Sequence, residues 1–221
     1  MRIIDLHCYP NTQKWIDCQG PYVDALEKYW GRAWQAKTEE EVVAEFTEFG
    51  IEAMLVALDL TTTIETPPCD NDYVAGMRDR HDAIIQAWAT VEPALGQAAV
   101  DEARHAINDL NMIGFHFHPI MQHIRVDDKS FYPLWEELTQ LKAPVMIDVG
   151  MTGMGAGMPG GLGAKTRNAH PASVDTIAAD FPDLTIIMSH PGYPWIDETT
   201  AVALHKGNVY WEMSGWSPKY L

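Results

Sequence analysis

Residues 184–195, LTIIMSHPGYPW, decide the fold. Leu184, Ile186, Ile187 and Met188 form an apolar run broken only by Thr185, the pattern of a parallel strand covered on both faces. His190 follows where side chains leave the sheet, and Pro191-Gly192 turns the chain at once. Ligands of parallel α/β folds bind at the carboxyl ends of strands. An imidazole there is therefore a candidate functional group, with a loop hydrogen bond as the bland alternative. What favours function is that other strands end the same way.

Working outward, APVMIDVG (143–150) is a second buried strand and carries Asp148, while MIGFHFHP (112–119) places His116 and His118 on one face. IEAMLVALD (51–59) ends in Asp59, and RIIDLHCY (2–9) aligns Asp5, His7 and Tyr9 by alternation. AIIQAWATVEP (83–93) and NVYWEMSGW (208–216) complete seven strands, the last with Glu212 and Ser214 on one face. Helical patterns separate them. A capping box at Thr38–Glu41 opens one that Gly50 closes. Others cover 71–81, 97–111, a stretch from Ser130, one capped by Ser173, and 196–206. This regular alternation predicts an α/β class with a parallel sheet or barrel over a single domain, 1–221.

The formal charge of −16, from 15 basic and 31 acidic residues, argues against nucleic acid or an anionic membrane as partner. A small anionic substrate remains compatible, because a metal or histidine cluster reverses the field inside one pocket. Cys8, Cys18 and Cys69 form no CxxC pair, which favours a reducing compartment. No signal-like or membrane-length apolar stretch is present, so a cytoplasmic location is expected.

Two segments lie outside the rhythm. The Trp- and Tyr-rich stretch 15–37 reads as a connection acting as a lid or an oligomer contact, and a homo-oligomer is expected. Residues 150–163 carry seven glycines, but GGLGAKT does not reproduce a P-loop. A mobile active-site loop is the better reading.

Six strands thus end in groups that bind metal or move protons: His7, Asp59, His116 or His118, Asp148, His190 and Glu212. If the sheet closes, such groups converge at one rim. Imidazole and carboxylate suit a catalytic Zn²⁺ or Mn²⁺ with one open position.

The order IIDLH, GFHFHP, PVMIDVG, GMTGMGAGMPGG, DFPDLTIIMSHPGYPW and NVYWEMSGWSPKY resembles the amidohydrolase-related family of aminocarboxymuconate semialdehyde decarboxylase, aromatic-acid decarboxylases and lactone hydrolases. That resemblance implies a distorted (β/α)₈ TIM barrel with a metal at its mouth. It implies His7, Asp148 and His190 as metal ligands, with Tyr9 beside them, and His190, His118 and His116 as catalytic groups. Against the family pattern, Tyr9 replaces the second His of Asp-x-His-x-His, Asp148 stands where a His is common, and His116 where Lys is frequent. The family's eighth-strand aspartate has no counterpart before Leu221, so the chain ends after its seventh strand. A longer polypeptide or a partner subunit is expected to cover the resulting gap. The implied activity is metal-assisted hydrolysis of a small carboxylate, lactone or amide. Nonoxidative decarboxylation of an aromatic or unsaturated acid is the alternative, as is a metal-free member that binds a ligand.

Overall fold

The computed structural model describes residues 2–215. Trp216, the last residue of the expected seventh strand, and the SPKY segment lie outside the described residues, as does Leu221. Strand β1 (Ile3–Cys8) precedes helices α1 (Gln13–Gln19), α2 (Pro21–Trp30) and α3 (Glu39–Phe49). After β2 (Ile51–Val56) come α4 (Thr61–Ile64) and α5 (Asn71–Arg80), then β3 (Ile84–Ala89) and α6 (Gln97–Asn108). The pairs β4 (Gly114–Phe117) and α7 (Tyr132–Gln140), β5 (Val145–Asp148) and α8 (Pro171–Asp180), and β6 (Ile186–Ser189) and α9 (Ile196–His205) follow, before β7 (Val209–Trp211).

The seven strands pair in parallel in sequence order, as a curled βα sheet with helices outside. Every residue of β4 and β5 is buried, His116 and Asp148 included, as expected of strands covered on both faces. Among the described residues β1 pairs only with β2, and β7 only with β6. Ile3, Ile4 and Tyr210 on these outer strands are exposed. The curl nevertheless brings the strand ends together: His7 of β1 lies 3.2 Å from Glu212, just past β7.

The Thr38–Glu41 capping box forms, and Gly50 ends α3 in the left-handed region at φ 64°. The next expected cap does not. Helix α8 begins at Pro171, whose fixed φ suits a first helical position, and His170 caps it by accepting the Ala172 N–H. Ser173 sits inside that first turn and donates to the His170 carbonyl.

The aromatic stretch is also more ordered than a connection. It folds into α1 and α2, burying Trp15, Cys18, Tyr22, Ala25 and Leu26 and leaving Tyr29 and Trp30 exposed. All three cysteines are free and buried. No helix among the described residues is long and apolar enough to cross a membrane.

Past β3, the Glu92 carboxylate is buried; it accepts from Thr62 Oγ1 and, at 3.2 Å, from Gln122 Nε2. Burial outweighs both hydrogen bonds and lifts this carboxyl to about 7. A carboxyl raised on folding contributes stability that is complete below its unfolded value and is lost as pH climbs through about 7. At ~1.4 kcal/mol per tenfold in proton affinity, the loss is about 3 kcal/mol. Glu92→Gln, a neutral mimic, should match wild type in urea unfolding at pH 5 and exceed it by about 2–3 kcal/mol at pH 8. An equal gap at both pH values contradicts the assignment.

Candidate metal centre and active-site cavity

Four strand ends build the cluster. His7 comes from β1, His116 and His118 from the end of β4, Asp148 closes β5, and His190 follows β6. The His7 ring lies 4.8 Å from that of His116 and stacks at 5.3 Å on that of His190. Asp148 is the hub. Its Oδ1 accepts from His116 Nε2 at 3.1 Å and stands 3.6 Å from His190 Nε2, while Oδ2 is 3.4 Å from His118 Nε2.

Partner chemistry fixes the protons. A carboxylate only accepts, so His116 carries its proton on Nε2 toward Asp148. The Met121 N–H donates to His118 Nδ1 at 3.3 Å, leaving the His118 proton on Nε2, again facing Asp148. The Ser214 carbonyl accepts from His190 Nδ1 at 3.0 Å. His190 itself has φ 71°, sparsely populated for a non-glycine residue, and its carbonyl is held by Trp211 Nε1 at 2.7 Å.

Burial pushes the Asp148 carboxyl up, but His116, His190 and His118 outweigh it and hold the group well below the usual carboxylate range. Burial dominates at His116 and His118 and drives both imidazoles down, His118 to about 4. At His190 burial is overcome by Asp148, then by Glu212 and the Ser214 carbonyl, and the imidazole rises to about 9. Near neutral pH the cluster therefore pairs the Asp148 carboxylate with a cationic His190 beside neutral rings at 116 and 118.

Two overlapping triplets have the donor chemistry for a divalent ion, each with ligand atoms within 4.8 Å of one another: His7, His116 and Asp148, and His7, His190 and Glu212. They differ in what is already satisfied. Glu212 accepts from His7 Nδ1, from Ser214 N at 2.6 Å and from Ser214 Oγ at 2.8 Å. In the first triplet each residue keeps one buried atom with no hydrogen-bond partner: His7 Nε2, His116 Nδ1 and Asp148 Oδ2. Buried polar atoms are rarely left this way, and a cation is what such lone pairs accept. The residues present thus fit a divalent metal.

Of the residues singled out in the sequence, His7, His116, His118, Asp148 and His190 meet here. Tyr9 sits edge-on to His7 at 5.5 Å and stacks on Trp15; burial, with Asp148 and Glu212, pushes its hydroxyl up, so it remains a neutral phenol. Asp59 stays apart, binding Thr61 N and Oγ1 at the start of α4. Glu212 was visible as a strand-end group, but its bond to His7 spans 205 positions and no local signal announces it.

A cavity of about 1010 Å³ opens over the cluster, with His118, Asp148 and His190 in its lining. Gly150–Met154, the start of the glycine-rich loop, lines it together with Tyr29, Trp30, Arg32, Trp34 and Lys37, and Gly153 lies against Leu26 and Tyr29.

A parallel βα barrel frame with an imidazole–carboxylate cluster at its strand ends defines a TIM-barrel enzyme class. Within it, the family model described as Amidohydrolase matches residues 4–220, and the chain belongs to that family. Its fold is shared with an uncharacterized TIM-barrel protein from Bordetella bronchiseptica (21% identity, TM-score 0.72, 96% of this chain and 74% of that one). It is also shared with 5-carboxyvanillate decarboxylase from Sphingomonas paucimobilis (15%, 0.60, 86% and 68%). A third is a probable 2-pyrone-4,6-dicarboxylic acid hydrolase from Acinetobacter baumannii, solved with citric acid (11%, 0.60, 97% and 71%). No curated protein sequence matches the chain.

Proposed function

We propose that this is a metal-dependent enzyme that hydrolyses a small anionic lactone, amide or related carboxylate, with Zn²⁺ or Mn²⁺ held by His7, His116 and Asp148. The observation that carries the reading is the trio of buried, unpartnered lone-pair atoms on those residues. A divalent ion there supplies Lewis acidity to a carbonyl and makes water nucleophilic near neutral pH. His190, its Nδ1–H committed to the Ser214 carbonyl, exchanges protons at Nε2 and serves the leaving group as proton donor. His118 Nε2 stands 3.4 Å from Asp148 Oδ2 without a hydrogen bond to it and faces the cavity, where it contacts substrate. Tyr9 stands beside His7 as a neutral hydrogen-bond donor to substrate.

An anionic substrate is supported by the lining. In a chain of net charge −16, the only carboxylate on the cavity wall among the described residues is Asp148, against Arg32, Lys37 and two histidines. Lys37 is engaged by Glu45, whereas Arg32 has no carboxylate partner among the described residues. Arg32→Gln should weaken isophthalate binding to the metal-loaded protein about tenfold in calorimetry, a charge-assisted hydrogen bond lost. Unchanged affinity removes Arg32 from substrate binding.

Decarboxylation is the second reading, favoured by a decarboxylase of the same fold from Novosphingobium aromaticivorans, crystallised with manganese and a nitrobenzoic acid. Turnover of a panel of lactones, amides and aromatic acids in ¹⁸O-labelled water separates the two. Hydrolysis places one solvent oxygen in the product carboxylate. Release of CO₂ with solvent hydrogen on carbon, and no ¹⁸O in the organic product, overturns the first reading for the second.

A further inference from the structure

The segment that follows β7 touches both stacked imidazoles at the same ring position. Glu212 Oε1 lies 3.2 Å from His7 Nδ1, and the Ser214 carbonyl oxygen lies 3.0 Å from His190 Nδ1. The Ser214 hydroxyl adds a longer contact to His190 Nδ1 at 3.3 Å while donating to Glu212 Oε1 at 2.8 Å. A backbone carbonyl has no proton to give, so His190 must donate from Nδ1. Glu212 already accepts the Ser214 N–H and the Ser214 hydroxyl, donors that favour the ionised carboxylate, and a carboxylate only accepts, so His7 also donates from Nδ1. His7 is then left with Nε2 as its lone-pair atom, buried with no partner, while the Nε2 of His190 faces Asp148. The arrangement also bridges the place where, among the described residues, β1 and β7 share no backbone ladder.

We infer that Glu212 is a positioning residue: it clamps His7 as the Nδ1–H tautomer, while the Ser214 carbonyl holds the Nδ1–H of His190, so that His7 presents Nε2 to the metal. This deepens the proposed function and rests on it for the identity of the ion. A carboxylate on the far nitrogen of a metal-bound imidazole fixes ring orientation and raises its basicity, and losing such a partner typically costs 10–100-fold in affinity. Glu212 thereby acts through His7 without itself binding the ion. The alternative is that Glu212 is a ligand in the triplet with His7 and His190.

Two readouts on the full chain decide it. Competition titration with Zn²⁺ should show affinity lowered about tenfold in Glu212→Gln, which keeps a shape that can accept but loses the charge, and up to a hundredfold in Glu212→Ala. Nitrogen-15 NMR of histidine-labelled, Zn²⁺-loaded wild type should show His7 protonated at Nδ1, the minor tautomer of free imidazole in water, and a proton held at Nδ1 of His190. In Glu212→Ala the His7 Nδ1 proton should exchange faster or move, while that of His190, bound to a backbone carbonyl, stays. Weakened affinity with the His7 proton undisturbed makes Glu212 a ligand and overturns the inference, as does wild-type affinity in Glu212→Ala. If the wild type binds no Zn²⁺, the metal reading falls separately, and the tautomers in the metal-free chain still decide the clamp.

Discussion

Replacing His7 with alanine should weaken Zn²⁺ or Mn²⁺ binding by about a hundredfold. Structural zinc sites bind with ~10–16 kcal/mol over four ligands, so one ligand accounts for roughly 3 kcal/mol, or two decades of affinity. His7 is the residue common to both candidate triplets, and its Nε2 is buried without a partner. The substitution also strands Glu212, whose carboxyl is held down to about 2: burial raises it, but the His7 hydrogen bond, with the Ser214 N–H and nearby His190, outweighs burial. His105, an exposed helical histidine paired with Asp109, is the control and should leave affinity unchanged when replaced by alanine. Competition against a chromogenic chelator measures both. Equal affinity in His7→Ala and wild type removes His7 from the site.

Gly150→Ala should lower the melting temperature by roughly 5–15 °C and loosen the site with it. Gly150 has φ 88°, and a Cβ there would lie 2.5 Å from the Gly192 carbonyl carbon and 2.8 Å from the Tyr193 oxygen. Left-handed strain costs about 1–2 kcal/mol and overpacking about 1–3 more. The contact is backbone against backbone, so no side chain can swing aside. It joins the segment after Asp148 to the one after His190, the two residues held 3.6 Å apart. Gly157, with φ 73° but open space around its missing Cβ, carries the strain without the clash. Gly157→Ala should therefore cost only the smaller part. Thermal melts of both variants test this; a Gly150→Ala melt within 2 °C of wild type, on the order of 0.5–1 kcal/mol, contradicts the close-packing argument.

The strands and their cargo were legible because a strand buried on both faces has only one way to be written. Ile186–Ser189 and Val145–Asp148 are apolar to the last residue or two, so the polar group that ends each run stands out. That is how His190, Asp148 and the His116/His118 pair were found together. The stretch at 15–37 was harder. Trp15, Cys18, Tyr22 and Leu26 do fall at helical spacing, but Gly20-Pro21 divides them between two short helices, and exposed Tyr29 and Trp30 gave the segment a loop-like look. Serine is a strong cap, which makes Ser173 the expected one, but Pro171, two residues earlier, already starts the helix. Asp59 ended a strand like the others but is held by Thr61, a bond between near neighbours that keeps it from the centre. Which nitrogen each histidine presents depends on Asp148, Ser214, Met121 and Glu212, partners assembled only by the curl of the sheet.

Crystals grown with Mn²⁺ or Zn²⁺, with data collected at the metal's absorption edge, put the centre of this reading to the most direct test. One anomalous peak per chain is expected, within about 2.3 Å of ligand atoms of His7 and Asp148, the range for metal–nitrogen and metal–oxygen bonds. A peak seated elsewhere, with the strand-end cluster free of metal at saturating concentration, would contradict it.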